Sequence, residues 1–366
     1  MKPDCLRRGV NSLLTLVLLP LLGGVLSAAE PAEPFRWTKL APLPDREGFA
    51  YPYAGVHNGA LLVAGGANFP DKKPWEGGAK IWYDTVFVLE RPDGAWRTAG
   101  RLSRPLGYGV SLSTPDGVVC LGGSDVQRHY ADAFLLRWVG GRLETKPLPP
   151  LPKPVANFCG AQLGSTIYVA GGIETPDATS ALHTFWALDL AAAQPQWREL
   201  EPWPGPGRML ATAAVQDDAF YLVSGTALAP DAQGKPARTY LKDAYRYQPG
   251  RGWRRVADLP HPAVAPPTPA PAVGPSGFLI LGGDDGSLVN FTPLASHPGF
   301  PGRILRYDTR TDSWRDAGRM PRAHVTTPLV QWGEAFIVPT GEVRPGVRSP
   351  DVWSLQVEPR TLKRTP

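Results

Sequence analysis

The stretch LLVAGGAN, residues 61–68, decides the fold because its pattern comes back five more times along the chain. VVCLGGSD (118–125), IYVAGGIE (167–174), FYLVSGTA (220–227), LILGGDD (279–285) and FIVPTGEV (336–343) each run apolar into a pair of small residues. The pairs follow one another at 57, 49, 53, 58 and 58 residues, so six copies fill residues 30–366 and leave no room for a second domain.

Each copy reads as four strands. A stretch after a Pro-rich turn, such as GYGVSLS (107–113), forms the first, and the run into the glycine pair forms the second. An Asp- or Tyr-marked apolar run such as YDTVFVLE (83–90) forms the third. A strand with Trp forms the fourth, as in GAWRTAG (94–100), PQWREL (195–200), RGWRRV (251–256) and DSWRDAG (312–318). The glycines suit a strand end where backbones crowd, and the tryptophans supply packing between sheets. The second copy is the irregular one, its fourth strand marked only by Trp138 and the GGRLETKPL (140–148) that follows. The last copy runs through DVWSLQVEP (351–359) and stops without a fourth strand, while FRWTKLAPLP (35–44) is a fourth strand with no first three. Giving the N-terminal strand to the last copy explains both, and predicts an all-β, six-bladed propeller of kelch type that leaves only short sheet edges.

Residues 1–29 read as a secretory signal. Lys2, Arg7 and Arg8 precede an apolar run from Leu13 to Leu26, and Ser27 and Ala29 supply the small residues of a cleavage site near Ala29. A soluble protein exported to the periplasm is expected, with no membrane span after cleavage. The formal charge of +5 falls to +3 once three basic groups (Lys2, Arg7, Arg8) and one acidic group (Asp4) are removed. That balance, with no basic cluster, argues against a nucleic-acid partner. Cys120 and Cys159 sit in apolar strand runs and read as buried thiols, and no zinc or redox spacing is present, so neither a metal nor a cofactor is implied. The sequence leaves the oligomeric state open.

In such a blade, the start of the first strand and the end of the second lie on one face near the central channel. The post-glycine positions are Asn68, Asp125, Glu174, Thr226, Asp284 and Glu342, and the first-strand entries are Arg46 and Glu47, Arg104 and Tyr108, Asn157, Arg208, His261, and Arg322 with His324. Such a rim of arginines and carboxylates suits a small-molecule site. Polar turns also solvate any rim. Glu342 stands apart, because GEVRPGVR (341–348) adds Arg344 and Arg348 to a carboxylate where neighbouring copies place turn residues. A carboxylate at a channel mouth can act as general base, and arginine can hold an anion but does not give up a proton.

The sequence resembles the N-acetylneuraminate epimerases, or sialic acid mutarotases, and within them a cyclically permuted type. GEVRPGVRSPDVWSL (341–355), GFAYPYAGVHNGALLVAGGANFPD (48–71), LGYGVSLSTPDGVVCLGGSD (106–125) and WPGPGRMLATAAVQDDAFYLVSG (203–225) carry the resemblance. It implies a cofactor-free isomerase that interconverts the α and β anomers of N-acetylneuraminate, or a related acidic sugar, through the open-chain ketone. It implies Glu342 as proton acceptor and Arg348 as the active-site arginine, with weaker support for Arg344; the expected mechanism has Arg348, together with Arg344, grip the sugar's carboxylate. Arg46, Glu47, Asn68, Arg104, Arg208, Arg322 and His324 are the expected substrate-binding residues. The protonator of the ring oxygen stays open between Glu342, water and His324. Relatives of the enterobacterial type carry a long, partly helical insertion where this chain has only DDGSLVNFTPLASHPGFPG (284–302), and NFPDKKPWEGGAKIWY (68–83) forms a loop able to cover the channel. The rival reading is a non-catalytic kelch propeller that binds a glycan or protein. A sialidase is disfavoured because no Ser-x-Asp-x-Gly-x-Thr-Trp turn repeats, and a copper-radical oxidase because neither thiol sits in a channel-facing loop.

Overall fold

The structure is a computed structural model that describes Met1 and residues 35–357. The expected signal over residues 1–29 lies, apart from Met1, outside the described residues.

Six antiparallel sheets follow one another along the chain. Blade 1 takes its strands from 53–101, blade 2 from 110–147, blade 3 from 159–200, blade 4 from 212–256 and blade 5 from 277–319. Blade 6 pairs Val330–Trp332, Ala335–Val338 and Val352–Val357 with Phe35–Leu40, which lies antiparallel to Val352–Val357 from Phe35 opposite Val357 to Leu40 opposite Val352. Among the described residues there is no α-helix, and no helix long and apolar enough to cross a membrane.

The repeat's sequence marks have distinct mechanical roles. Four of the six second strands, Ala60–Ala64, Gly117–Leu121, Ala219–Val223 and Gly277–Leu281, are fully buried, because each is covered by a sheet on both sides. The fourth-strand tryptophans tie neighbouring blades. Indole N–H groups of Trp96, Trp197, Trp253 and Trp314 donate to the carbonyls of Ala41, Pro149, Glu201 and Ala257 at 2.8–2.9 Å, each just past the outer strand of the preceding blade. Cys120 and Cys159 are free, fully buried thiols.

Two details depart from the sequence reading. Trp138 belongs to the third strand of blade 2, Ala133–Val139, and a regular fourth strand, Arg142–Pro147, follows it. Blade 5 has three strands in place of four. Its inner segment contains Pro266, Pro267, Pro269 and Pro271, which have no N–H for a ladder, and its backbone pairs through isolated bridges such as Ala272 with Phe278 in place of a continuous ladder.

The six blades meet at a closed ring of backbone hydrogen bonds. Tyr51, Tyr108, Asn157, Leu210, Ala265 and Thr326, one per blade, all hold φ between 41° and 64°. The N–H of Tyr108 donates to the carbonyl of Tyr51, Asn157 to Tyr108, Leu210 to Asn157, Ala265 to Leu210, Thr326 to Ala265 and Tyr51 to Thr326, at 2.6–2.9 Å. Left-handed backbone costs about 1–2 kcal/mol at a residue with a Cβ. Here it turns each buried N–H and carbonyl to a neighbour in the next blade, where leaving them unpaired would cost as much or more.

Candidate active site

The residue before each ring member bridges the residue after a glycine pair: Ala50 with Ala67, Gly107 with Ser124, Ala156 with Ile173, Met209 with Thr226, Val264 with Asp284 and Val325 with Glu342. This register makes Asp284 and Glu342 true equivalents on adjacent blades, and the only carboxylates among the six. The other mouth of the channel also opens into a cavity, of about 250 Å³, but no ionisable side chain lines it.

On the glycine-pair face, blades 4, 5 and 6 enclose a cavity of about 270 Å³ whose walls include Arg238, Tyr240, Asp284, His297, Thr326 and Glu342. Glu342 stands on a hairpin, Gly341–Arg344 with Val347–Ser349, in which it faces Arg348 across the strands. Its Oε1 accepts from the Gly346 N–H at 2.6 Å and from Arg348 Nη1 at 3.2 Å. Among the described residues, its Oε2 has only Thr326 Oγ1, at 3.4 Å, and that hydroxyl makes its shorter bond, 2.7 Å, to the Val325 carbonyl. One carboxylate oxygen is therefore anchored and the other is available to a ligand.

The two basic residues of the hairpin are already engaged. The Arg348 side chain is 4% exposed, pairs with Glu342 and covers the Phe69 ring at 4.9 Å, while its Nε is buried without a partner. Arg344 donates from Nη1 to the Ala295 carbonyl at 2.7 Å and lies 5.7 Å from the Trp75 ring. Phe69 and Trp75 come from the 68–83 loop, so that loop abuts the Glu342 hairpin. Arg238, on the extra hairpin Thr226–Pro230 with Pro236–Tyr240, is the basic residue that lines the cavity.

Most other expected substrate-binding residues lie elsewhere. Arg208 and His324 stand two residues before a ring member, the same position as Phe49, Leu106, Val155 and Ala263, and all six are buried between blades. There Arg208 makes a double contact with Asp243, at 2.8 and 2.9 Å, and His324 Nδ1 meets the Thr340 carbonyl at 2.8 Å. Asn68 is one residue past its bridge position and fully buried, its amide donating to Gly48 O and its oxygen accepting from the Tyr83 hydroxyl. Arg104 and Arg322, four residues before the ring, remain on interblade linkers, beside Asp132 at 3.3 Å and Asp351 at 3.9 Å. Arg46 is bound to the Pro70 carbonyl at 2.6 Å, and Glu47 to Lys73. None of these lines the cavity. Arg238, Tyr240 and His297 were not singled out from the sequence. They sit in insertions between strands, where the blade repeat gives no register.

The family model for N-acetylneuraminate epimerase matches residues 27–145, which carry blades 1 and 2. Over part of its length, the chain is similar to the N-acetylneuraminate epimerases. It is 39% identical to the epimerase of Yersinia pestis (strain Pestoides F) over 110 residues, 27% of each chain. With the Brucella suis epimerase it shares 36% over 126 residues, 30% of this chain and 32% of that one, and with the Haemophilus influenzae (strain PittEE) epimerase 28% over 234 residues, 55% and 57%. The chain thus spans between about a quarter and just over half of the length of these epimerases. The solved structure of YjhT superposes with a TM-score of 0.63 at 15% identity, covering 87% of this chain and 98% of that one, which is a likeness of fold.

Proposed function

We propose that the protein is a sugar mutarotase that exchanges the α and β anomers of N-acetylneuraminate or a related acidic sugar by general acid–base catalysis at the blade 4–6 cavity. The observation that carries this reading is the asymmetric environment of Glu342. With Oε1 fixed by Gly346 and Arg348, Oε2 faces a ligand as the base that takes the anomeric hydroxyl proton. The ring C–O bond then breaks, giving the open-chain ketone, and reclosure on the other face of the carbonyl yields the other anomer. The epimerase relatives support the same chemistry.

Arg348 acts here as the group that orients Glu342, and the sugar's carboxylate is taken by Arg238, the arginine in the cavity's lining. The protein is exported, its signal cleaved near Ala29.

The test follows anomer exchange by NMR on freshly dissolved acidic sugars and their neutral C1 amides, with the mature protein and with Arg238→Ala. The wild-type protein accelerates exchange of the acids, and the variant raises their KM about tenfold while leaving the amides unchanged. Binding of the sugars with no change in exchange rate would instead identify a non-catalytic propeller.

A further inference from the structure

We infer that His297 is a second catalytic residue of this cavity, a neutral imidazole that donates from Nε2 to the ring oxygen as the ring opens. The inference rests on the mutarotase reading above and assigns a donor that the sequence left open.

His297 is 5% exposed and lines the same cavity as Glu342. Its Nδ1 accepts the Gly299 N–H at 3.1 Å, so in the neutral ring the proton sits on Nε2. Phe291 packs edge-on to the imidazole at 5.2 Å and Phe300 lies at 6.0 Å, which holds the ring's orientation. The segment carrying His297 is tied to the Glu342 hairpin at two points. Arg344 Nη1 donates to the Ala295 carbonyl at 2.7 Å, and Gly299, at φ +107°, comes so close that a Cβ there would lie 2.9 Å from the Val343 carbonyl oxygen. The segment of the donor is therefore held against the hairpin of the base.

Of the cavity's other polar groups, Asp284 and Tyr240 engage each other, while the Thr226 hydroxyl is buried without a partner among the described residues. Asp284 accepts from the Tyr240 hydroxyl at 2.8 Å and from the Gly286 N–H at 3.0 Å. The Tyr240 proton is turned toward Asp284, and burial together with that carboxylate pushes the phenol well above its ordinary range. His324 is enclosed between blades.

In the step itself, Glu342 takes the anomeric proton, the electron pair of the breaking C–O bond passes to the ring oxygen, and Nε2–H hydrogen-bonds that developing alkoxide without leaving the imidazole. Glu342 then returns the proton to the same oxygen. No proton is gained or lost, and the histidine stays neutral throughout.

The experiment compares His297→Phe and His297→Gln with wild type by NMR exchange kinetics, with circular dichroism to verify folding. Removing one such donor lowers kcat about 100-fold in the Phe variant, KM staying within about threefold, and the Gln amide, which still donates, recovers part of the loss. Phe and Gln variants equally impaired, or both within about threefold of wild type, would overturn the assignment. A wild-type protein without exchange activity would remove the mutarotase reading first, and this inference with it.

Discussion

His324 is a histidine that the fold keeps uncharged. It is fully buried, and burial, helped by the nearby Arg322 charge and only partly offset by the hydrogen bond to the Thr340 carbonyl, lowers its pKa to about 4 against an ordinary 6.5. Because the unfolded chain binds the proton more readily, its contribution is complete above pH 6.5 and is lost progressively as pH falls toward 4. The difference is worth about 3 kcal/mol. Urea unfolding at a series of pH values is expected to show this loss in wild type, and a flatter profile in His324→Gln. Arg208 sits at the equivalent place on blade 4, and there a buried partner compensates the charge. Burial alone would raise the Asp243 carboxyl, but the hydrogen bonds and charge of Arg208 outweigh it and leave it below the usual range. Both residues had the chemistry of a site, and their types were legible. Their burial was not, because it depends on a two-residue offset from a ring that exists only in the folded backbone.

At the scale of an element, the Glu342 hairpin depends on its turn. Gly346 holds φ +79°, gives its N–H to Glu342, and lies so close to the 68–83 loop that a Cβ would come within 2.8 Å of the Pro74 ring. Gly346→Ala is expected to cost about 1–2 kcal/mol from the left-handed backbone, read as a lower urea midpoint. It is also expected to slow anomer exchange about tenfold or more, since displacing the anchored carboxylate by a fraction of an ångström disturbs the reacting geometry. An unchanged rate would show that the turn does not position Glu342. The peculiarity of this hairpin was readable as GEVRPGVR, with its carboxylate and two arginines. That both arginines are engaged away from the cavity was not readable, because hairpin register and the approach of Phe69, Trp75 and Ala295 decide it. The inner segment of blade 5 makes the same point. Its prolines were visible, yet strand order alone suggested a regular first strand.

Across the whole molecule, six repeats become six sheets because each apolar second strand needs cover on both sides. That requirement was fully legible, since the glycine pairs and tryptophans mark it at every turn. The ring from Tyr51 to Thr326 was not, being made of main-chain groups from residues as unlike as Tyr, Asn, Leu, Ala and Thr. Yet the ring sets the site: it fixes the register that brings Asp284 and Glu342 to neighbouring positions and puts Glu342, whose Oε2 is its less engaged oxygen, in the wall of the cavity enclosed by blades 4, 5 and 6. The central claim is that this oxygen is the base. Two-dimensional exchange NMR on an equilibrated mixture of N-acetylneuraminate anomers, with wild-type protein and with Glu342→Gln at equal concentration, tests it directly. Loss of a general base predicts a rate at least about 100-fold lower in the variant, with its folded spectrum retained. A Glu342→Gln protein that exchanges the anomers as fast as wild type would contradict the account.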